Sequence, residues 1–193
     1  MHVHAIPGMK RALGASLWVN LSFVLVEFVA GYWANSLALI SDAVHNLSDL
    51  PSMGLSLIAL YAQQRPADHR RTYGYQRSGV LAAFVNAVIL VCVAAYIVFA
   101  AYHRFLQPVA VNTSLMLWVS LAGIGVNGGI AASVWRGRGD VNLRTVLIHN
   151  AGDAASNLAI LAGAFLMART GWFALDPVIS FAIGAAVLWT SWG

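Results

Sequence analysis

Ser36-Leu-Ala-Leu-Ile-Ser-Asp-Ala-Val-His-Asn-Leu-Ser-Asp-Leu50 opens an apolar run, Leu37 to Ala62, that carries two carboxylates and an imidazole in its interior. A bilayer core about 30 Å thick takes roughly 20 apolar residues per helix, so the run is long enough to span one. At 100° per residue Asp42, His45 and Asp49 fall within about 60° of one another, and a helix here presents them as one polar stripe. Placing a charged group at mid-bilayer costs about 2.5–3.5 kcal/mol on insertion scales, so such residues line a protein-filled or wet interior.

A second stretch, Ile148-His-Asn-Ala-Gly-Asp-Ala-Ala-Ser-Asn157, repeats the pattern His-Asn-x-x-Asp. His45 with Asp49, and His149 with Asp153, are each spaced so that both side chains leave one helix face on successive turns. Two such helices facing each other would supply two imidazoles and two carboxylates, a donor set suited to tetrahedral Zn²⁺. A lone intramembrane His can simply hydrogen-bond between helices. A lone Asp can pair with a cation, but no Lys or Arg lies deeper in a predicted span than the opening-turn Arg77 and Arg144. The doubled pattern and the missing countercharge together point to metal ligation by His45, Asp49, His149 and Asp153.

Asp42 has two readings that the sequence leaves open: it guides a cation or relays protons, or it hydrogen-bonds a neighbouring helix. Asn46, Asn150 and Asn157 continue the stripes as candidate pathway or relay groups. Most other polar residues in the spans, Ser120 and Asn127 among them, read as packing hydrogen bonds. Glu27 is the exception and joins the candidates, since an unpaired acid facing lipid is too costly.

The rest of the chain agrees with a membrane protein. It has 193 residues, 60% hydrophobic and 9% charged, against about a quarter charged in soluble domains. Six spans are expected, at Leu13–Trp33, Leu37–Ala62, Tyr75–Tyr102, Ser114–Trp135, Leu143–Ala168 and Ala174–Trp192. Residues 1–12 form an N-terminal cytoplasmic segment and residues 13–193 an all-α transmembrane domain. No small-residue cleavage site follows Lys10 and Arg11, so the N-terminus reads as a first span and not a signal peptide. Lys10, Arg11, Arg65, Arg70, Arg71, Arg77, Arg136, Arg138 and Arg144 fall on one side of the membrane, leaving only Arg104 and Arg169 of the eleven basic residues on the other. Cytoplasmic loops retain Lys and Arg, so both termini are expected in the cytoplasm. Although the sequence pI is near 9.6, these basic residues sit between apolar runs and not along one solvated face, which excludes nucleic acid as a partner. The single cysteine, Cys92, cannot form an intramolecular disulfide and is expected to be a small buried hydrophobe.

The residues from Asn35 to Asp49 resemble the second-helix signature of the cation diffusion facilitators, the zinc-transporter family. Arg71-Thr-Tyr-Gly-Tyr-Gln-Arg77 is similar to that family's third-helix opening, His149 to Asp153 to its fifth-helix motif, and Leu175-Asp-Pro-Val-Ile179 to the start of its sixth. The resemblance implies that His45, Asp49, His149 and Asp153 are the transport site. It further implies a proton-coupled exporter of divalent cations, a homodimer working by alternating access in a cell membrane, of the bacterial inner-membrane type. The two-His, two-Asp site is the form associated chiefly with zinc. Two departures stand out. The family usually continues into a soluble cytoplasmic domain, whereas this sequence stops at Ser191-Trp-Gly193. Some members bind a second metal between helices two and three; here Asp68 and His69 are candidates for a weak second site, but Arg70 and Arg71 beside them repel a dication, and a solvated loop is favoured.

The donor set itself suggests proton coupling. With both Asp ionised and both His neutral the empty site carries two negative charges, which Zn²⁺ cancels. An empty site in a low dielectric instead binds protons, and metal and protons compete for the same atoms. No organic cofactor and no catalytic residue is expected. Cd²⁺, Co²⁺ and Fe²⁺ fit the same donors, so the physiological metal stays open. Two rivals stay open as well. A passive cation channel is one, although a closed four-ligand site binds too tightly for rapid conduction. A membrane haem protein with His45 and His149 as axial ligands is the other, although it gives no role to the Asp one turn after each His. An intramembrane metalloenzyme lacks its His-Glu-x-x-His.

Overall fold

The computed structural model describes residues 9–47, 76–135 and 141–192, and all regular structure among them is helical. In chain order the helices are α1 (Met9–Ala34), α2 (described over 37–47), α3 (Gln76–Leu106), α4 (Thr113–Val134), α5 (Val141–Thr170) and α6 (Leu175–Trp192). The ends of α1, α3, α4, α5 and α6 fall within a few residues of the expected spans. The largest extension at the far end is that of α3, which runs past Tyr102 until Gln107 and Pro108 and brings His103 and Arg104 into its last turn. Asp49, Asp68 and His69 lie outside the described residues.

Two described helical stretches, Thr113–Val134 and Val146–Thr170, are long and apolar enough to cross a membrane; Trp18–Ala34, Val91–Leu106 and Leu175–Ala186 are shorter apolar segments. The distribution of polarity is the reverse of a soluble bundle. Glu27, Asp42, Asn127, Asn150, Asp153 and Asn157 are buried, while Trp18, Phe84, Tyr96, Trp118 and Leu158 are exposed. Tyr32, Trp33, Tyr102 and Trp172 stand exposed near the turns that join α1 to α2, α3 to α4 and α5 to α6. Amphipathic rings near helix ends suit a membrane–water boundary. Cys92 corrects the sequence expectation: it is exposed. An apolar neighbourhood implies burial only in water, because a lipid-facing helix surface is equally apolar.

The helices pack through small side chains. α4 lies along α5, α3 along α6, α1 against α4 and α5 against α6. Ala30, Ala34, Ala38, Ala94 and Ala164 surround the larger Leu39, Met116, Ile160 and Met167 in the core. With no hydrophobic drive between helices in lipid, small residues that let backbones approach are what holds them. The tightest approach on α4 is at Gly123, where a Cβ would run into the Asn157 carboxamide and the Phe23 ring; Gly125, Gly128 and Gly129 have no such neighbour within 4 Å.

One polar knot fixes the end of α2 that leads to His45. Asn35 adopts a left-handed φ of 54°, and the bonds Asn35 N to Tyr32 O, 3.2 Å, and Ser36 N to Gly31 O, 2.9 Å, close α1 with a Schellman motif. Asn is among the few residues that tolerate this conformation. Ser36 then caps α2, its Oγ accepting from Leu39 N at 3.2 Å. The fully buried Asp176 of α6 accepts from Ser36 Oγ at 2.6 Å, Leu37 N at 2.8 Å and Ala38 N at 3.2 Å. These are the N–H groups that a helix start leaves unsatisfied, and the dipole there favours an anion. Arg104 completes the knot, 3.5 Å from Asp176 Oδ2 and donating to Asn35 O and Oδ1 at 2.7 and 2.6 Å. One turn along α2, Ser41 and Ser180 of α6 share a hydrogen bond.

Asp176→Ala should therefore lower stability by about 3 kcal/mol or more, the cost of leaving a buried partner uncompensated, seen as a fall in Tm of the detergent-solubilised protein. Gly123→Ala should lower stability by the overpacking range of about 1–3 kcal/mol, read as a fall in Tm, while Gly125→Ala leaves stability within about 0.5 kcal/mol. Equal effects of the two glycine substitutions would contradict the packing described.

Candidate metal site

Starting from α2 and α5, His45 faces the His149–Asp153 segment across the bundle. His45 Nε2 lies 4.0 Å from Asp153 Oδ1, and His149 Nε2 lies 3.5 Å from Asp153 Oδ2. The Asp153 side chain is 5% exposed and the two imidazoles about a quarter exposed, so the carboxylate sits inside and the rings border the interior. The i, i+4 spacing makes the His149–Asp153 approach local to α5, whereas His45 reaches Asp153 from another helix. Three of the four expected ligands are thus brought together around one carboxylate; Asp49, the fourth, lies outside the described residues. The three do not converge on a common point, and among the described residues no three His, Cys, Asp or Glu side chains are disposed to hold one ion.

Between this cluster and the Ser36–Asp176 knot is a layer of oxygens. Asp42 accepts from Ser156 Oγ at 2.5 Å and from Asn157 Nδ2 at 2.9 Å. Of its two sequence readings, the hydrogen bond to a neighbouring helix is therefore present. Asn157 also donates to the Asp153 backbone carbonyl at 3.1 Å, tying Asp42 to the helix turn that carries Asp153. Glu27 is fully buried, with Oε2 accepting from Asn46 Nδ2 at 3.2 Å. Asn150 turns back on its own helix, Nδ2 donating to Val146 O at 2.9 Å. The pathway candidates divide accordingly: Asn46 serves Glu27, Asn157 serves Asp42, and Asn150 serves α5.

The electrostatics follow from what is missing. Glu27, Asp42 and Asp153 share one interior, and the basic side chain that a described helix sets beside a buried carboxylate, Arg104, is committed to Asp176 at the far end. Buried anions need positive charge within a few ångströms or they do not stay ionised. Two imidazoles and a carboxylate drawn from two helices are borderline donors that bind a dication such as Zn²⁺, and a further carboxylate would complete a neutral set.

Sequence reading passed over two features. The Arg104–Asp176 knot was legible as charge left over: Arg104 is one of two basic residues on the side opposite the other nine, and Asp176 opens the sixth helix on that same side. The close seat of Gly123 against Asn157 gave no signal, since five other glycines populate positions 125–139 nearby.

Comparison with known proteins extends across the same region. Residues 13–193 match the model of the cation efflux transmembrane domain. A cadmium, cobalt and zinc/H⁺-K⁺ antiporter of Bacillus velezensis is 34% identical over 190 residues, covering 97% of this chain and 61% of the relative. Zinc transporter ZitB of Pectobacterium atrosepticum is 33% identical over 99% of the chain and 60% of its own length, and metal cation efflux system protein CzcD of Cupriavidus metallidurans 35% identical over 99% and 61%. The chain thus spans about three fifths of the length of these relatives. With an all-helical fold, a polar interior and a match over nearly its whole length, the chain belongs to the cation efflux family, the cation diffusion facilitators.

Proposed function

We propose that this chain exports divalent metal cations, zinc foremost, by exchange for monovalent cations, with His45, Asp49, His149 and Asp153 as the tetrahedral transport site. The observation that carries the reading is the approach of His45 and His149, from two helices, to the buried carboxylate of Asp153. Asp49 follows His45 by one helical turn and is the fourth ligand in this reading. The names of relatives that cover nearly the whole chain support metal export, and one of them supports H⁺ and K⁺ as counter-ions.

The mechanism follows from charge. Zn²⁺ neutralises two carboxylates and leaves two neutral imidazoles, so the loaded site is stable away from water. On the outer side monovalent cations enter as it leaves, and the interior, again neutral, resets by alternating access. Six spans with both termini cytoplasmic put the basic loops inside, consistent with the charge asymmetry of the sequence. A homodimer through the membrane surfaces fits the apolar exterior, and the loop with Asp68 and His69 stays solvated beside its two arginines. Cd²⁺ and Co²⁺ are accepted as further cargo on the same donors.

Flux of zinc in proteoliposomes tests the reading. Asp49→Ala or Asp153→Ala should each reduce zinc affinity by more than the 10–100-fold seen when only an outer partner of a ligand is removed, with transport lost accordingly. Transport surviving both substitutions would contradict the site. An imposed pH gradient, acid on the receiving side of the export direction, should accelerate wild-type flux; a rate indifferent to it and to a K⁺ gradient would contradict exchange.

A further inference from the structure

Glu27 and Asp42 form a second acidic centre one helical turn from His45, and it differs from the His/Asp cluster in lacking an imidazole. Both residues are fully buried. Asn46, which donates to Glu27, follows Asp42 by one turn of α2, so the two acids border one face of that helix. Glu27 Oε2 takes one hydrogen bond, from Asn46, while Oε1 has no partner among the described atoms. Asn157, which holds Asp42 through its Nδ2, likewise leaves its buried Oδ1 without a partner. That oxygen stands where a Cβ on Gly123 would go, a place bordered also by the ring of Phe23, one turn before Glu27 on α1. From α4 the buried polar groups are the neutral Ser120 and Asn127; from α5 they are Asn150, Asp153 and Asn157 beside the half-buried Ser156 and His149.

A buried Glu27 oxygen without a hydrogen-bond partner, next to a second buried carboxyl and with no Lys or Arg beside the pair among the described residues, describes a place short of positive charge. Every donor there is oxygen. Hard, monovalent cations and protons suit such a set, whereas zinc prefers the imidazole-bearing cluster next to it. Resting on the exchange proposed above, we propose that the Glu27–Asp42 pair is the seat of the counter-cation, a proton or an alkali ion, distinct from the ligands of the cargo. Asn157 links the two places, bonding the Asp42 carboxylate and the Asp153 backbone carbonyl at once. Occupancy of one is thereby felt at the other, which is what exchange on separate sites requires.

The test uses the full chain in proteoliposomes, zinc as the only transported metal, and three conditions: no counter-gradient, a pH gradient, and a K⁺ gradient at fixed pH. Each variant is read as the ratio of its driven to its undriven zinc flux. The wild type should show a ratio of at least about five, within the usual range of coupling between sites, in the pH arm if the ion is a proton and in the K⁺ arm if it is alkali. Glu27→Gln should bring that ratio close to one, and Glu27→Asp, which keeps the carboxyl, should restore part of it. Asn46→Ala, which removes the partner of Oε2, should shift the cation concentration giving half the response, and it serves if Glu27→Gln does not yield folded protein. A Glu27→Gln ratio equal to wild type would overturn the proposal, as would a loss of flux with the ratio preserved, or a wild-type ratio of one in both arms. Asp153→Ala separates the two readings: zinc flux persisting there sinks the cargo site, whatever Glu27→Gln does.

Discussion

A carboxylate held away from water, with no Lys or Arg beside it, must obtain its positive charge from somewhere else, and this constraint organises the molecule. Glu27, Asp42 and Asp153 are buried in one interior. In the low dielectric between packed helices their ionised forms are expensive, so ions or protons must enter and leave with them. The single arginine that a described helix brings to a buried acid is placed on Asp176, at the far end of the bundle. In the exchange proposed above, structural charge is neutralised by the protein and the other acids are left for mobile charge.

The scaffold makes this arrangement hold. Asp176 satisfies the opening N–H groups of α2, Arg104 clamps the Asn35 turn ahead of it, and Ser41 with Ser180 fastens the next turn to α6. α2 is therefore anchored at one end before it delivers Asp42 and His45. On the other side the missing Cβ of Gly123 lets α4 close on Asn157, which spans from Asp42 to the turn of Asp153. Alanine-lined contacts allow the approach that such short polar bridges need.

Much of this was legible in the residues. Helical spacing put His45 on the stripe of Asp42, and the repeated His-Asn-x-x-Asp pointed α2 at α5; the approach of both imidazoles to Asp153 matches that pairing. Helix ends were legible from their breakers, Asn35 and Ser36 most clearly. Other features depend on tertiary distance and left no periodic trace. The partner of Asp42 is Ser156 and Asn157, residues more than a hundred positions away, and Asn46 gave no hint that it serves Glu27. Cys92 was misplaced because an apolar neighbourhood does not distinguish a core from a surface that faces lipid.

X-ray absorption at the zinc edge of the metal-loaded protein addresses the donor set itself. The account predicts a four-coordinate environment of two imidazole nitrogens and two carboxylate oxygens, at about 2.0–2.2 Å with no sulfur, and loss of that environment in Asp153→Ala. A six-coordinate all-oxygen environment, or a spectrum unchanged by Asp153→Ala, would contradict it.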